Sequence, residues 1–297
     1  MKLRKYHGLG NDYLVLEPGE MGGHAFTPQA AKILCALHFG VGTDGVLTGP
    51  YLPGSPGFQD ICRRANIGED SRCLCAFRIW NPDGSEAEKS GNGVRIFARW
   101  LYDTGRVALN EQFALATLGG IVRVTILDPD QRIRADMGRA RFASPDFPVQ
   151  NATGEATGET IAVAGRTFRF CAVSVGNPHC VVLDSDGSSA TAHAYGPLIE
   201  NAPRFPHRIN VQFLKVLGPH DIHIEIWERG AGYTLASGTS SSASAAAAVR
   251  LGLCQSPVHV HAPGGTLEVE IDNQWEVTLT GPVAPVFDMT WLGPKIW

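Results

Sequence analysis

Two short stretches put a serine directly before glycine at the head of a helix-like run: Ser90-Gly91-Asn92-Gly93 and Ser237-Gly238-Thr239-Ser240. Each turn gathers the free backbone N–H groups of a helix start and the positive end of its dipole at one point, where an anion binds. A carboxylate held at two such starts would have charge on its neighbouring carbon stabilised by fixed dipoles. Proton abstraction beside a carboxylate is the chemistry this favours. A plainer reading is that Ser90 and Ser237 are simple N-caps, a position serine favours for hydrogen-bonding reasons alone. Spacing leaves both readings open.

The elements that must carry these turns are mostly strands. Alternation or β-branched content predicts strands over 12–16, 73–80, 113–116, 121–126, 132–136, 167–173, 180–183, 211–213, 222–227, 258–261, 267–271 and 275–280. Helices are expected over 29–37, 93–102 and 240–251. Strands outnumber helices and the helices are well separated, which argues for an α+β fold rather than a doubly wound sheet. Gly, Pro and charge over 53–69 read as a surface insertion, and 151–159 reads as a second loop. The two turns also sit in an internal echo. In both copies a strand (77–80 and 222–227) runs into a polar loop, then Ser-Gly, then a helix, which suggests two similar halves.

At 297 residues the chain is long enough for two modest domains. Its 34 glycines exceed the usual share of about 7%, as expected for many tight turns or backbone close to a ligand. A net charge of −4 without a basic run gives no electrostatic footprint for nucleic acid or an anionic membrane. The N-terminal residues lack a secretory apolar segment and no run is long enough to span a bilayer, so a cytoplasmic protein is expected. Seven cysteines, an odd number spread along the chain, fit reduced thiols better than a disulfide scaffold. Cys73 and Cys75 share one strand face and read as core; with Cys62 they lack zinc spacing, and no metal site is expected.

Six ordered segments then carry a resemblance: His7-Gly8-Leu9-Gly10-Asn11-Asp12-Tyr13, Asn81-Pro82-Asp83-Gly84-Ser85-Glu86, Gly91-Asn92-Gly93-Val94-Arg95, Gly176-Asn177-Pro178-His179-Cys180, Glu228-Arg229-Gly230-Ala231-Gly232 and Pro263-Gly264-Gly265. Over almost the whole chain the sequence resembles the diaminopimelate epimerase family. The resemblance implies two similar α/β domains related by a pseudo-twofold with a cleft between them, at 1–136 with a C-terminal return at about 281–297, and at 137–280. It implies epimerisation of LL- to meso-diaminopimelate for lysine and peptidoglycan synthesis, with an amino acid as small-molecule substrate and neither pyridoxal phosphate nor any other cofactor. It leaves a homodimer open.

In that family two cysteines face each other across the substrate, one as thiolate base and one as thiol acid. Their positions here are Ser90 and Ser237. A thiol near pKa 8.5 can be lowered to act as a base, whereas a serine hydroxyl titrates far higher and needs a neighbouring base. The resemblance assigns Asn11, Asn81, Gly91, Asn92, Asn177, Asn210, Glu228, Arg229, Gly238 and Thr239 to substrate binding, with His179 and Glu228 near the reacting carbon. Arg229 suits bidentate clamping of a carboxylate. Gly45 stands where the family often has glutamine, and Lys89 and Ser240–Ser242 fit serines native to this chain. Two alternatives follow: a one-base lyase or dehydratase using His179 or Glu228, and an inactive amino-acid-binding homologue.

Overall fold

A computed structural model gives the fold; it describes residues 1–297 except 69–71, 129, 131, 144–146, 148, 151, 153, 294, 295 and 297. In chain order the elements begin β1 (Lys2–Gly8), β2 (Asn11–Leu16), a 3-10 turn (Pro18–Met21), α1 (Pro28–Cys35), β3 (Val46–Tyr51), α2 (Pro56–Arg64), β4 (Cys75–Trp80), β5 (Glu86–Ala87), α3 (Gly91–Asp103), β6 (Gln112–Thr117), β7 (Gly120–Asp128) and β8 (Arg132–Arg139). They continue β9 (Thr157–Val163), β10 (Arg166–Ser174), β11 (Pro178–Leu183), α4 (Ser189–Glu200), β12 (Asn210–Gly218), β13 (Asp221–Glu228), β14 (Gly232–Thr234), α5 (Gly238–Arg250), β15 (Val258–Ala262), β16 (Gly265–Ile271), β17 (Glu276–Gly281) and β18 (Ala284–Thr290). This is an α+β fold in which strands dominate.

The chain forms two compact units, Met1–Ala135 with Gly281–Trp297, and Asp136–Thr280. In the first, β18 pairs antiparallel with β1, β1 with β2 antiparallel, β2 with β3 parallel, β3 with β4 antiparallel, β4 with β6 parallel, and β6, β7 and β8 follow antiparallel. The second unit repeats this plan in β9, β10, β11, β12, β13, β15, β16 and β17. Parallel neighbours need a crossover, and α1 and α3 supply it in the first unit as α4 and α5 do in the second. Short strands β5 and β14 fold back on β4 and β13 in the same places. The echo read around the two serines therefore extends along the whole of each unit.

The helices α3 and α5 sit in the cores. Every residue from Gly91 to Leu101 is buried, as are Ser240 to Ala248 of α5. A helix buried all round must be enclosed by its own unit, and α5 contacts β10, β11, β12, β13, β15 and β16. The two helices fill that space differently. α3 brings Phe97 and Trp100, which stack at 5.3 Å, with Phe77 of β4 at 4.3 Å from Phe97. α5 is built from Ala and Ser, so strands approach its backbone closely.

The insertion expected over 53–69 contains α2: Ser55 caps it, Pro56 opens it, and Phe58, Ile61 and Cys62 are buried. The loop expected over 151–159 ends early, because β9 begins at Thr157. Glu69, Asn151 and Thr153, within those two stretches, lie outside the described residues. Unanticipated elements include β1, β3, β18 and α4, whose interior Pro197 reads as a helix breaker. Cys73 and Cys75 are buried, and burial pushes the Cys75 thiol up to about 12. No helix among the described residues is long and apolar enough to cross a membrane.

Candidate active site

In the first unit Ser90 caps α3, with extended backbone (φ −140°, ψ 119°) and its Oγ accepting from the Gly93 N–H at 3.0 Å. The Tyr13 hydroxyl lies 3.3 Å from the same oxygen. One turn into the helix, Arg95 is fully buried and folds back toward the helix start, donating to Asn92 Oδ1 at 2.7 Å and to the Gly91 carbonyl at 3.2 Å. Burial pushes this guanidinium down to about 10, and no carboxylate among the described residues pairs with it. Its charge and the helix dipole thus have the same sign at the Ser90 turn, which favours an anion there.

The asparagines of this unit are first of all braces. Asn92 Nδ2 donates to Asn11 Oδ1 at 3.1 Å, and Asn11 Nδ2 donates to Asp44 Oδ2 at 2.9 Å. The Asp44 N–H donates to Asp12 Oδ1 at 2.8 Å, and Lys5 pairs with Asp12 at 2.7 Å. One continuous network therefore ties the loop after β1 to the start of α3. Each amide nitrogen keeps a second hydrogen for a ligand. Asn81 sits in the turn between β4 and β5, where its Nδ2 donates to Ser85 Oγ at 3.0 Å. Hydrogen bonds from the Ser85 hydroxyl and N–H hold the neighbouring Asp83 carboxyl below the usual range.

In the second unit three adjacent strands bring the expected residues to one end. β11 and β12 run parallel with His179 opposite Asn210, and β13 returns antiparallel with Trp227 opposite Val211. Asn177, His179, Asn210, Glu228 and Arg229 consequently gather at the starts of β11 and β12 and the end of β13. Asn210 donates to the Pro178 carbonyl at 2.8 Å and accepts from the Arg229 N–H at 2.9 Å, so it fixes the Arg229 backbone. The Arg229 guanidinium is exposed and donates to the His207 carbonyl at 3.2 Å. Ser237 caps α5 (φ −147°, ψ 127°), accepting from the Ser240 N–H at 3.4 Å, with Thr239 Oγ1 also 3.4 Å away.

His179 lies in the core at the start of β11. It is fully buried, and burial pushes its imidazole down to about 3, a neutral ring too weakly basic to take a proton from carbon. Its Nε2 lies 2.8 Å from Asn177 Oδ1, an acceptor, so Nε2 carries the hydrogen. The ring orients Asn177 and leaves that amide's nitrogen outward for a ligand. Gln212 adjoins the ring and bonds Ser240 Oγ at 3.0 Å. In that orientation Gln212 Oε1 and His179 Nδ1 are both buried without partners. Turning the amide over gives Nδ1 a donor and lets the Ser240 hydroxyl donate to Oε1. The Asn177 loop and the head of α5 are then joined through one buried chain.

Sequence reasoning missed Glu200, the last residue of α4. Its buried carboxylate accepts from Trp227 Nε1 at 2.8 Å and the Gly230 N–H at 2.8 Å and pairs with Arg208. It therefore clamps the turn that carries Glu228 and Arg229. Nothing in its local sequence signals this, because Trp227 and Gly230 lie 27 and 30 positions away. Arg95 and Tyr13 stood inside the quoted segments, but only their neighbours were assigned roles.

Comparison with known proteins identifies the family. A sequence model of diaminopimelate epimerase matches residues 3–143 and 171–286. Diaminopimelate epimerase 2 from Nostoc sp. is 47% identical over 95% of this chain and 93% of its own, and diaminopimelate epimerase from Desulfitobacterium hafniense is 39% identical over 97% of this chain and 96% of its own. Among solved structures, a hydroxyproline epimerase from Agrobacterium vitis with bound trans-4-hydroxy-L-proline shares the fold at TM-score 0.66 and 16% identity, covering 97% of this chain and 91% of that one. A probable proline racemase from Agrobacterium radiobacter does so at TM-score 0.67 and 16% identity, covering 99% and 93%. Capped helix starts repeated in two units of one topology, with matches of this length and identity, make the chain a member of the diaminopimelate epimerase family.

Proposed function

We propose that the protein inverts an amino acid at its α-carbon, with diaminopimelate as substrate, and that it does so without pyridoxal phosphate. The observation that carries this reading is the pair of serine-capped helix starts, one per unit. At the first, Arg95 adds a buried positive charge beneath the turn. The substrate carboxylate takes the free N–H groups, and the charge that develops at the α-carbon is spread toward them. Ser90 and Ser237 then stand as the hydroxyls that give and take the proton. Arg229 and Asn177 hold the polar ends of the substrate, the first as a bidentate donor and the second through the amide that His179 orients. We place the reaction in a reducing compartment, the cytoplasm, where the seven buried free cysteines are at home.

The elimination alternative needs a single competent base. His179 is poorly suited to that task, as its burial and neutral ring make plain, which leaves Glu228 as its remaining candidate. The test is to incubate the protein in deuterated water with LL- and meso-diaminopimelate and with other amino acids. Deuterium gain at the α-carbon with inversion is expected for diaminopimelate. A keto or unsaturated product would replace this reading with the lyase, and binding without exchange would replace it with a binding protein.

A further inference from the structure

We propose that Tyr13 is the titrating partner of Ser90: the phenol supplies the proton that the serine hydroxyl passes to the substrate carbon. This rests on the reading that Ser90 handles the substrate's α-proton. A hydroxyl has one hydrogen and two lone pairs. On Ser90 Oγ, the Gly93 N–H occupies one lone pair at 3.0 Å, and the Tyr13 hydroxyl lies 3.3 Å away. With Tyr13 donating into the second lone pair, the serine's own hydrogen is directed away from both and toward a ligand at the helix start. The pair is then a proton donor in its resting, neutral form.

The acidities explain why the serine needs this neighbour. An alcohol titrates far above neutrality, whereas a phenol titrates near 10, so charge left behind rests better on Tyr13 than on Ser90. In the protonation step the Ser90 O–H bond breaks as the carbanion's electron pair takes that hydrogen. The Tyr13 hydrogen moves to Oγ, and a phenolate remains. The reverse step returns each hydrogen, and nothing is oxidised or reduced. At Ser237 the neighbouring hydroxyl is that of Thr239, another aliphatic alcohol, and among the described residues no phenol hydrogen-bonds to it.

The fold makes room for Tyr13 in a specific way. Tyr13 is buried in the core of its unit beside Leu47 and Val94, on β2 next to the start of β3. The Leu14 N–H donates to the Gly45 carbonyl at 3.1 Å, which presses residue 45 against the tyrosine. A Cβ at Gly45 would lie 2.6 Å from Tyr13 Cε1 and 2.6 Å from the Trp80 carbonyl. Real Cβ atoms do not come so close, so a glutamine at 45 and this ring position exclude each other. Gly45 and the tyrosine hydroxyl are thus two parts of one arrangement, in which a phenol on β2 provides the polar group at the Ser90 turn.

The contact is tested without relying on turnover. In the Ser90→Cys protein, the pH profile of iodoacetamide modification at position 90, read by peptide mass spectrometry, reports how well that thiolate is stabilised. Adding Tyr13→Phe is expected to raise the profile's midpoint by about one pH unit, slowing modification about tenfold at pH 7. Superimposable profiles overturn the proposal. Should Tyr13→Phe fail to fold, 3-fluorotyrosine at position 13 keeps the ring shape with a more acidic phenol, and the midpoint is expected to fall; an unmoved midpoint overturns the proposal equally. With Ser90 intact, Tyr13→Phe is expected to slow α-hydrogen exchange at saturating substrate on the order of 100-fold with half-saturation unchanged, and an unchanged rate contradicts it. If the parent chain shows no exchange at all, the epimerase reading fails and the alkylation profile still decides the contact.

Discussion

At the scale of single residues, the polar side chains around the two helix starts mostly hold one another before they can hold a ligand. Glu200 is the strongest case, since its buried carboxylate serves an indole, a backbone N–H and a guanidinium at once. Glu200→Ala leaves the Trp227 indole and the Gly230 N–H without their acceptor, while the half-exposed Arg208 stays solvated, and a loss of about 1–3 kcal/mol is expected in urea unfolding. His179 makes a pH-dependent prediction. Burial lowers its folded value to about 3, below the 6.5 of the unfolded chain, so the unfolded state binds the extra proton as the medium acidifies. Its contribution is complete above pH 6.5 and is lost as pH falls toward 3, at about 1.4 kcal/mol per pH unit. Urea midpoints at pH 7, 6 and 5 should therefore fall less steeply in His179→Gln than in the parent, once the carboxylates common to both are subtracted. The asparagines were visible as motif residues, yet their roles were not. Asn11 reaches Asp44, 33 positions away, and an amide's free hydrogen is decided by such partners.

At the scale of elements, α5 shows how composition sets packing. Its buried run of Ser and Ala lets strands from across the unit approach one backbone, so Ala246, with no exposed surface, has no room to grow. Ala246→Leu is expected to destabilise the protein by about 1–3 kcal/mol through overpacking, measured by thermal or urea unfolding. Where local pattern and tertiary role coincide, the elements were legible: α3 and β13 follow the expected periodicity, and their ends moved by only a residue or two. Elsewhere they were not. α2 looked like an insertion because Gly, Pro and charge surround it, although Ser55 and Pro56 were helix-start signals in plain view. α4 was hidden by Gly196 and Pro197, which the helix tolerates where Gly196 faces the Trp227 ring, too close for any Cβ. β18 was hidden because most of it is exposed, leaving no alternation to read.

At the scale of the whole molecule, one strand plan is used twice, and each use ends in a serine-capped central helix. The two copies are not equivalent. The first has Tyr13 at its serine and a buried Arg95 beneath the turn that no carboxylate among the described residues pairs with, while the second has Thr239 at its serine and the buried His179 and Gln212 between Asn177 and Ser240. On the proposed function, hydroxyls of unequal surroundings would serve the two directions of proton transfer. The most direct measurement is α-hydrogen exchange of diaminopimelate in deuterated water by the parent protein, by Ser90→Ala and by Ser237→Ala, each shown to be folded. Exchange with inversion in the parent, lowered on the order of 100-fold by either substitution alone, is the result expected when both serines act on the same carbon. Full exchange surviving the loss of either serine would contradict it.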